Sequence, residues 1–426
     1  MPLLSRTWRL NLGVALATAC LGAPVFADPF GPDGSGTDNE RLRPGLYPAA
    51  PVAGDYGMPI EPTHPPFEID WSVGLRGTFT QSTTGGQNFV TRLTPQASAR
   101  YDGSLATIVG AASAEIAKPS GPDGVTITNM RLGVSGEMAL DAVTTLNGDA
   151  ALTLSKDLPG TLDLNPQIAA PQQILTGSLG IGLDRQFGRF NLGVDAEAMR
   201  TNYGPSTRLD IGEIDNADQN RWTAAGNLRV GYQVTPIFEL FTEAGVSRDF
   251  FDVAGPSGEK ADASNRTLRA GVSGSWNDVL TASVSAGVGQ RVFHAGNLGD
   301  VTTQLYGASV SYTPDPTLRM TASLETTMEP TGPDNPGTAR IRHAALANID
   351  YTVNSWLRLR ANADWSSSQF VGSNDTEDRF GLGAGADYSF NAHTALNADY
   401  GYGRRNTSSS GQTDSHQVSL GITLSR

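Results

Sequence analysis

From Phe67 to the end of the chain, apolar or small residues alternate with polar ones in runs of about a dozen, the period of strands wet on one face only. The first run sets Phe67, Ile69, Trp71, Val73, Leu75, Gly77 and Phe79 on one face, with Glu68, Asp70 and Arg76 between them. Trp222, Ala224, Gly226, Leu228, Val230, Tyr232 and Val234 alternate in the same way with Asn227, Arg229 and Gln233. Leu268, Ala270, Val272, Gly274 and Trp276 alternate with Arg269 and Ser273. Leu357, Leu359, Ala361, Ala363 and Trp365 alternate with Arg358, Arg360, Asn362 and Asp364.

Short and long connections follow one another between the runs. Short turns are predicted near 102–104, 141–143, 186–188, 235–237, 277–279, 314–316, 354–356 and 391–393, most of them rich in Asn, Asp, Pro or Gly. Apolar pairs such as Tyr101 and Leu105, or Trp276 and Leu280, bracket three residues and keep their face, as a three-residue hairpin requires. The turn near Phe187 breaks that parity and predicts a bulge. Longer connections are expected at 82–87, 118–127, 156–171, 204–219, 249–264, 293–300, 327–338, 370–376 and 405–413. Seventeen joints imply about 18 strands, an even number with both ends on one side. The predicted fold is all-β: a transmembrane antiparallel up-and-down β-barrel with short periplasmic turns and longer extracellular loops. Outward aromatics gather just before the short turns, at Tyr101, Tyr232, Trp276, Tyr312, Tyr351, Tyr388 and Phe390. Amphipathic rings prefer the headgroup zone, so these form an expected girdle.

The first residues read as an export signal, 1–27: Arg6 and Arg9, a short apolar core from Leu10 to Leu21, and small-residue cleavage after Ala27. A lipoprotein signal cut before Cys20 is the alternative, and Ala17 stands where a large aliphatic residue is usual. Cleavage after Ala27 leaves no cysteine, which removes disulfides, thiol catalysis and thiolate metal sites together. No other run is long and apolar enough for a membrane helix. Residues 28–66 hold nine prolines and few large apolar groups, and read as a disordered periplasmic lead before the 67–426 barrel. Loss of Arg6 and Arg9 takes the net charge from −13 to −15, which disfavours nucleic-acid partners.

The export signal, the Pro-rich lead, the Tyr-ended strands and the short Asn/Asp/Pro turns resemble the putative β-barrel porin type 2 family of Gram-negative bacteria, over roughly 67–426. The resemblance implies an outer-membrane pore. Such families usually end on an aromatic residue read by the barrel-assembly machinery; here Arg426 follows outward Val418, Leu420, Ile422 and Leu424. Expected partners are outer-membrane lipid and lipopolysaccharide, the assembly machinery and small hydrophilic solutes. No cofactor and no metal are expected, and the oligomeric state stays open.

Alternation assigns Arg229, Arg269, Arg319, Arg358 and Arg360 to the lumen, with Glu115, Glu137, Asp149, Asp195, Glu197, Glu239, Glu243, Asp364, Asp387 and Asp399. Two readings are open: an electrostatic lining that selects ions, or salt bridging that only hydrates the wall. The surplus of carboxylates points to weak cation preference. Lys118, Lys156 and Lys260 are placed in long loops, leaving arginine as the wall cation. Asp210, Glu213, Asp215 and Asp218 form an acidic loop without the spacing of a calcium hand. His343 and Ser367 fall opposite each other on the lipid face, but lack a third residue to orient the histidine, so no enzyme is expected. His294 and His416 lack partners for a metal site. The leading functional reading is a passive diffusion channel. The alternative is a non-conducting barrel that binds surface polysaccharide or a periplasmic partner.

Overall fold

In the computed structural model, residues 67–121, 124–159, 161–162, 164, 167–255, 258–296, 298–333 and 337–426 are described. The chain divides into units Met1–Ile60 and Glu61–Arg426, and the described residues belong to the second. The export signal and the Pro-rich lead lie outside the described residues.

Eighteen long strands make one sheet. They are β1 (Phe67–Ser82), β2 (Gly86–Asp102), β3 (Ala106–Pro119), β4 (Thr126–Asp141), β5 (Thr144–Lys156), β7 (Gln173–Phe187), β8 (Phe190–Tyr203), β11 (Arg221–Gln233) and β12 (Phe238–Phe251), followed by β13 (Ala263–Trp276), β14 (Leu280–Phe293), β15 (Val301–Asp315), β16 (Leu318–Pro330), β17 (Ala339–Asn354), β18 (Leu357–Val371), β19 (Thr376–Asn391), β20 (Thr394–Thr407) and β21 (Gly411–Ser425). Three short strands, β6 (Ile168–Ala170), β9 (Ser206–Arg208) and β10 (Gly212–Ile214), form a small sheet of their own. Each long strand pairs antiparallel with the next, and β21 returns to β1 from Ser72↔Ser425 to Ser82↔Ser415. The sheet is therefore a closed barrel, in which the first and last strands pair with each other.

One side of this wall carries exposed large apolar residues, among them Ile69, Leu75, Val230, Val272 and Leu359. The residues between them point to the enclosed side. The predicted aromatics lie on the apolar side near the short turns, and the structure adds Phe67, Phe187, Phe190, Phe238 and Trp356 to them. Phe190 faces Tyr232 at 5.0 Å, Phe238 meets Trp276 edge-on at 5.4 Å, and Trp356 meets Tyr388 at 5.3 Å.

All eight short turns fall where alternation places them. The bulge expected at Phe187 is not there. Phe187 pairs directly with Phe190 around a two-residue turn, which Gly188 permits at φ 60°. Register shifts occur instead at the hairpins after β4, β15, β17 and β19, where the three-residue bracket absorbs an extra residue. Strands also run further outward than expected, so that three of the longer connections shrink to 83–85, 372–375 and 408–410. Lys118 and Lys156 sit in β3 and β5 rather than in loops.

The two longest connections, after β5 and β8, are not independent. They supply β6 and the β9–β10 hairpin, which pair together. The first of these connections folds inward. Leu158 is buried against Val90 and Ala117, on the enclosed side of β2 and β3. Leu162 lies against Gly403 on the enclosed side of β20. Leu158 and Leu162 thus lie on the enclosed side of the wall, although this connection is too small for a plug domain.

Candidate functional site: the enclosed wall of the barrel

Cross-strand register puts side chains of one row within reach of each other, so the chemistry of the enclosed wall can be read row by row. Around β18 to β2 the rows are built of arginine and carboxylate. Arg360 Nε lies 2.8 Å from Asp387 Oδ2, and its Nη2 lies 2.8 Å from Asp399 Oδ1. Arg76 Nη1 approaches the other oxygen of Asp399 at 3.0 Å. Asn397 Nδ2 donates to Asp387 Oδ1 at 2.8 Å, and Thr423 Oγ1 donates to Asn397 Oδ1 at 2.9 Å. Five strands are tied by this one chain of contacts. Its planar guanidinium bridges two carboxylates, which a lysine could not do with the same geometry. Arg358 pairs with Asp350 at 2.7 Å, Arg92 with Glu115 at 3.1 Å, and Glu377 accepts from both Arg379 and Arg405.

The wall of β5 to β8 is different. Asp149 stands opposite Gly180, which stands opposite Glu197. In the next row Asn147 faces Gly182, which faces Asp195. The glycines leave bare backbone between the acidic groups. Among the described residues, no cation lies within ion-pair distance of Asp149, Asp195 or Glu197. Asp184 adds a further carboxylate here, held by Asn147 at 3.1 Å. Further round, Glu239 pairs with Arg229 at 2.8 Å, whereas Glu243 accepts from the Asn227 amide at 3.2 Å.

All fifteen residues assigned inward by alternation occupy the enclosed side. Arg319 and Asp364 are exposed there, Glu137 and Asp149 lie among the small residues of β3 to β5, and Asp387 is buried. The same enclosed face also carries Arg76, Arg92, Arg131, Arg291, Arg340, Arg342, Arg379 and Arg405. With them stand Asp184, Asp249, Glu325, Glu329, Asp350 and Glu377. The surplus of carboxylates over arginines is therefore smaller than expected. What distinguishes the wall is the gathering of Asp149, Asp195 and Glu197 on β5 to β8, whereas on β18 to β2 most acids are paired and Asp364, opposite Gly381, is the exception.

The remaining candidates do not converge. Asp210 pairs with Arg208, which holds its carboxyl below the usual range, and Asp215 accepts from the Ala217 amide. Glu213 lies on β10, and Asp218 accepts from the side chain of Gln219. Among the described residues, no group of three or more His, Cys, Asp or Glu could hold a metal. His343 and Ser367 are register partners, as expected. The residue that engages the histidine is Thr326, whose Oγ1 is 2.9 Å from Nδ1, and no hydrogen bond joins Ser367 to the ring among the described residues.

A closed antiparallel barrel with an apolar outside and a charged inside is the architecture of outer-membrane porins. Residues 68–426 match the sequence profile of putative beta-barrel porin 2, and the chain belongs to that family. It is a porin-like barrel of the bacterial outer membrane, of a kind that is not enzymatic in general. No curated protein matches the chain. Among solved structures it is similar to Pseudomonas aeruginosa OpdK with vanillate, at 11% identity and TM-score 0.43, covering 84% of this chain and 99% of that one. P. aeruginosa OccK3 (OpdO) matches at 13% identity and TM-score 0.42, covering 84% and 96%. P. aeruginosa OccK2 (OpdF) in complex with glucuronate matches at 11% and 0.42, covering 84% and 98%.

Proposed function

We propose that the barrel is a passive pore for small hydrophilic solutes and ions, with weak cation preference. The observation that carries this is the acidic strip of Asp149, Asp195 and Glu197, with no cation among the described residues within ion-pair distance of any of the three. Eighteen strands enclose enough width for water, and a low-dielectric wall concentrates the field of unpaired charge. Paired arginines opposite are neutralised locally and oppose that field only weakly. The fifteen residues named from alternation line this path, and the aromatics near the short turns anchor the barrel in the periplasmic headgroup zone.

The 67–426 barrel is preceded, in this reading, by a cleaved export signal and an extended lead. Protease added from the periplasmic side then removes 28–66 and leaves the barrel folded; a barrel that cannot assemble without that segment contradicts the boundary. The solute class is tested by swelling of liposomes containing the protein in isosmotic cationic, zwitterionic, neutral and anionic solutes of equal size. Faster entry of cations than of anions is expected. No swelling in any solute, from protein shown to be folded, would favour a barrel whose loops or lead bind a partner instead.

A further inference from the structure

At one place in the wall, neighbouring strands part. β15 and β16 pair from Asp315↔Leu318 up to Gly307↔Glu325, and no further. Above that level β15 continues beside β14 to Arg291↔Val301, and β16 beside β17 to Pro330↔Ala339. Residues 301–306 and 326–330 therefore each have a backbone edge with no strand alongside among the described residues. Elsewhere the ladders reach the strand tops, as in Ala263↔Phe293 and Glu377↔Thr407. An unpaired edge is costly near lipid, so it must be covered.

The burial pattern shows how. Phe293 and Val301 share the lumen face with Arg291, whereas Met328, Ile341 and Ala339 share the outer face with Met320 and Ile349. Residues of these opposite faces nevertheless pack into one buried cluster. That contact requires the tops of β16 and β17 to tuck to the lumen side of β14 and β15. Exposure agrees: Thr326 and Ala339, on the outer face, are 0% exposed, and lumen-facing Leu305 is 1% exposed. Arg269 fastens the overlap. Its Nη2 donates to the Thr326 carbonyl at 3.2 Å, and its Nη1 is 3.9 Å from Glu325. To get there it lies across Gly287, where a Cβ would sit 2.9 Å from its Cγ. Its Nε is buried without a hydrogen-bond partner among the described residues.

We infer that this overlap is a lateral gate through which single-chain anionic amphiphiles, a carboxylate on an acyl tail, pass between the lumen and the bilayer. The inference rests on the reading of the chain as an outer-membrane pore. The apolar overlap of Phe293, Val301, Met328 and Ile341 accepts a tail and rejects hydrophilic solutes. A carboxylate can take both Nη2 and the unpartnered Nε of Arg269. Such a charge-assisted pair outcompetes the neutral Thr326 carbonyl and frees the edge. On the bilayer side the gate opens between Tyr306 and Leu324, 43% and 38% exposed.

The test uses Thr326→Cys in a Cys20→Ser chain, reconstituted in liposomes and shown folded by heat-modifiable migration, with a bilayer-soluble maleimide as reporter. Laurate should raise the labelling rate roughly ten-fold, and 1-dodecanol, with the same tail and no carboxylate, should not. Adding Arg269→Gln should make labelling fast with or without laurate. Labelling indifferent to laurate overturns the gate, and equal acceleration by 1-dodecanol overturns the role given to Arg269. Ion conductance of the same protein separates the two readings. A conducting barrel indifferent to laurate loses the gate and keeps the pore. A non-conducting barrel that opens to laurate does the reverse.

Discussion

Two arcs of the same wall use one alphabet to opposite ends. On β18 to β2, Asp387 and Asp399 are held by Arg360, and Asp399 also by Arg76. On β5 to β8, Asp149 and Glu197 face each other across Gly180, with no cation among the described residues within ion-pair distance. The first arc spends its charge on itself and ties strands together. The second leaves its charge to the lumen. A count of lumen charges therefore says little about permeation; pairing decides which charges a passing ion feels.

The largest expected effect comes from inverting the open arc. The triple change Asp149→Lys, Asp195→Lys and Glu197→Lys should reverse the sign of ion selectivity in a planar bilayer. Retention of cation preference would mean that the preference arises elsewhere. Next is the closed arc. Arg360→Ala leaves Asp387 and Asp399 short of a partner in a half-buried network. It should cost about 1–3 kcal/mol in denaturant unfolding and shift selectivity further toward cations. A stable variant with unchanged selectivity would show that the pairs are ornamental. A third experiment sharpens the geometry beneath both arcs. Cysteines at Val230, Val272 and Leu359 should react with reagents dissolved in the bilayer, and cysteines at Arg229, Arg269 and Arg358 with aqueous reagents through the pore. Equal reactivity of the two sets would refute the facing of the strands. The smallest effect is outside the membrane. The Ser373 and Ser408 hydroxyls hold the Asp375 carboxyl below its usual range. That contact favours the ordered loops above the ordinary carboxylate pKa and fades as pH falls through the depressed one. Ser408→Ala should raise the Asp375 titration midpoint slightly, as read by NMR.

Much of this is legible in the sequence. Period-two alternation fixes the face of each residue, which is why Tyr351, Leu359 and Arg358 lie where the sequence puts them. Alternation does not fix the partner. That Asp149 meets Gly180 and Asp387 meets Arg358 depends on register between strands, set by turn geometry and closure. The missed arginines have a plain cause as well. Alternation puts Arg76 on the wet face, but its pairing with Asp399 depends on β1 meeting β21 across the whole length of the chain. The two-residue turn at Gly188 defeated a parity rule built on three-residue loops. Parity also had no means of finding the inward fold of Leu158, which lies in a connection without period.

The most direct test of the segregated wall is the reversal potential of the unaltered barrel across a planar bilayer under a salt gradient. Unpaired carboxylates on β5 to β8 predict cation preference at low salt. It should decline as the screening length shortens to about 10 Å near 0.1 M and below that at higher concentration. Anion preference, or no current from folded protein, would contradict the account.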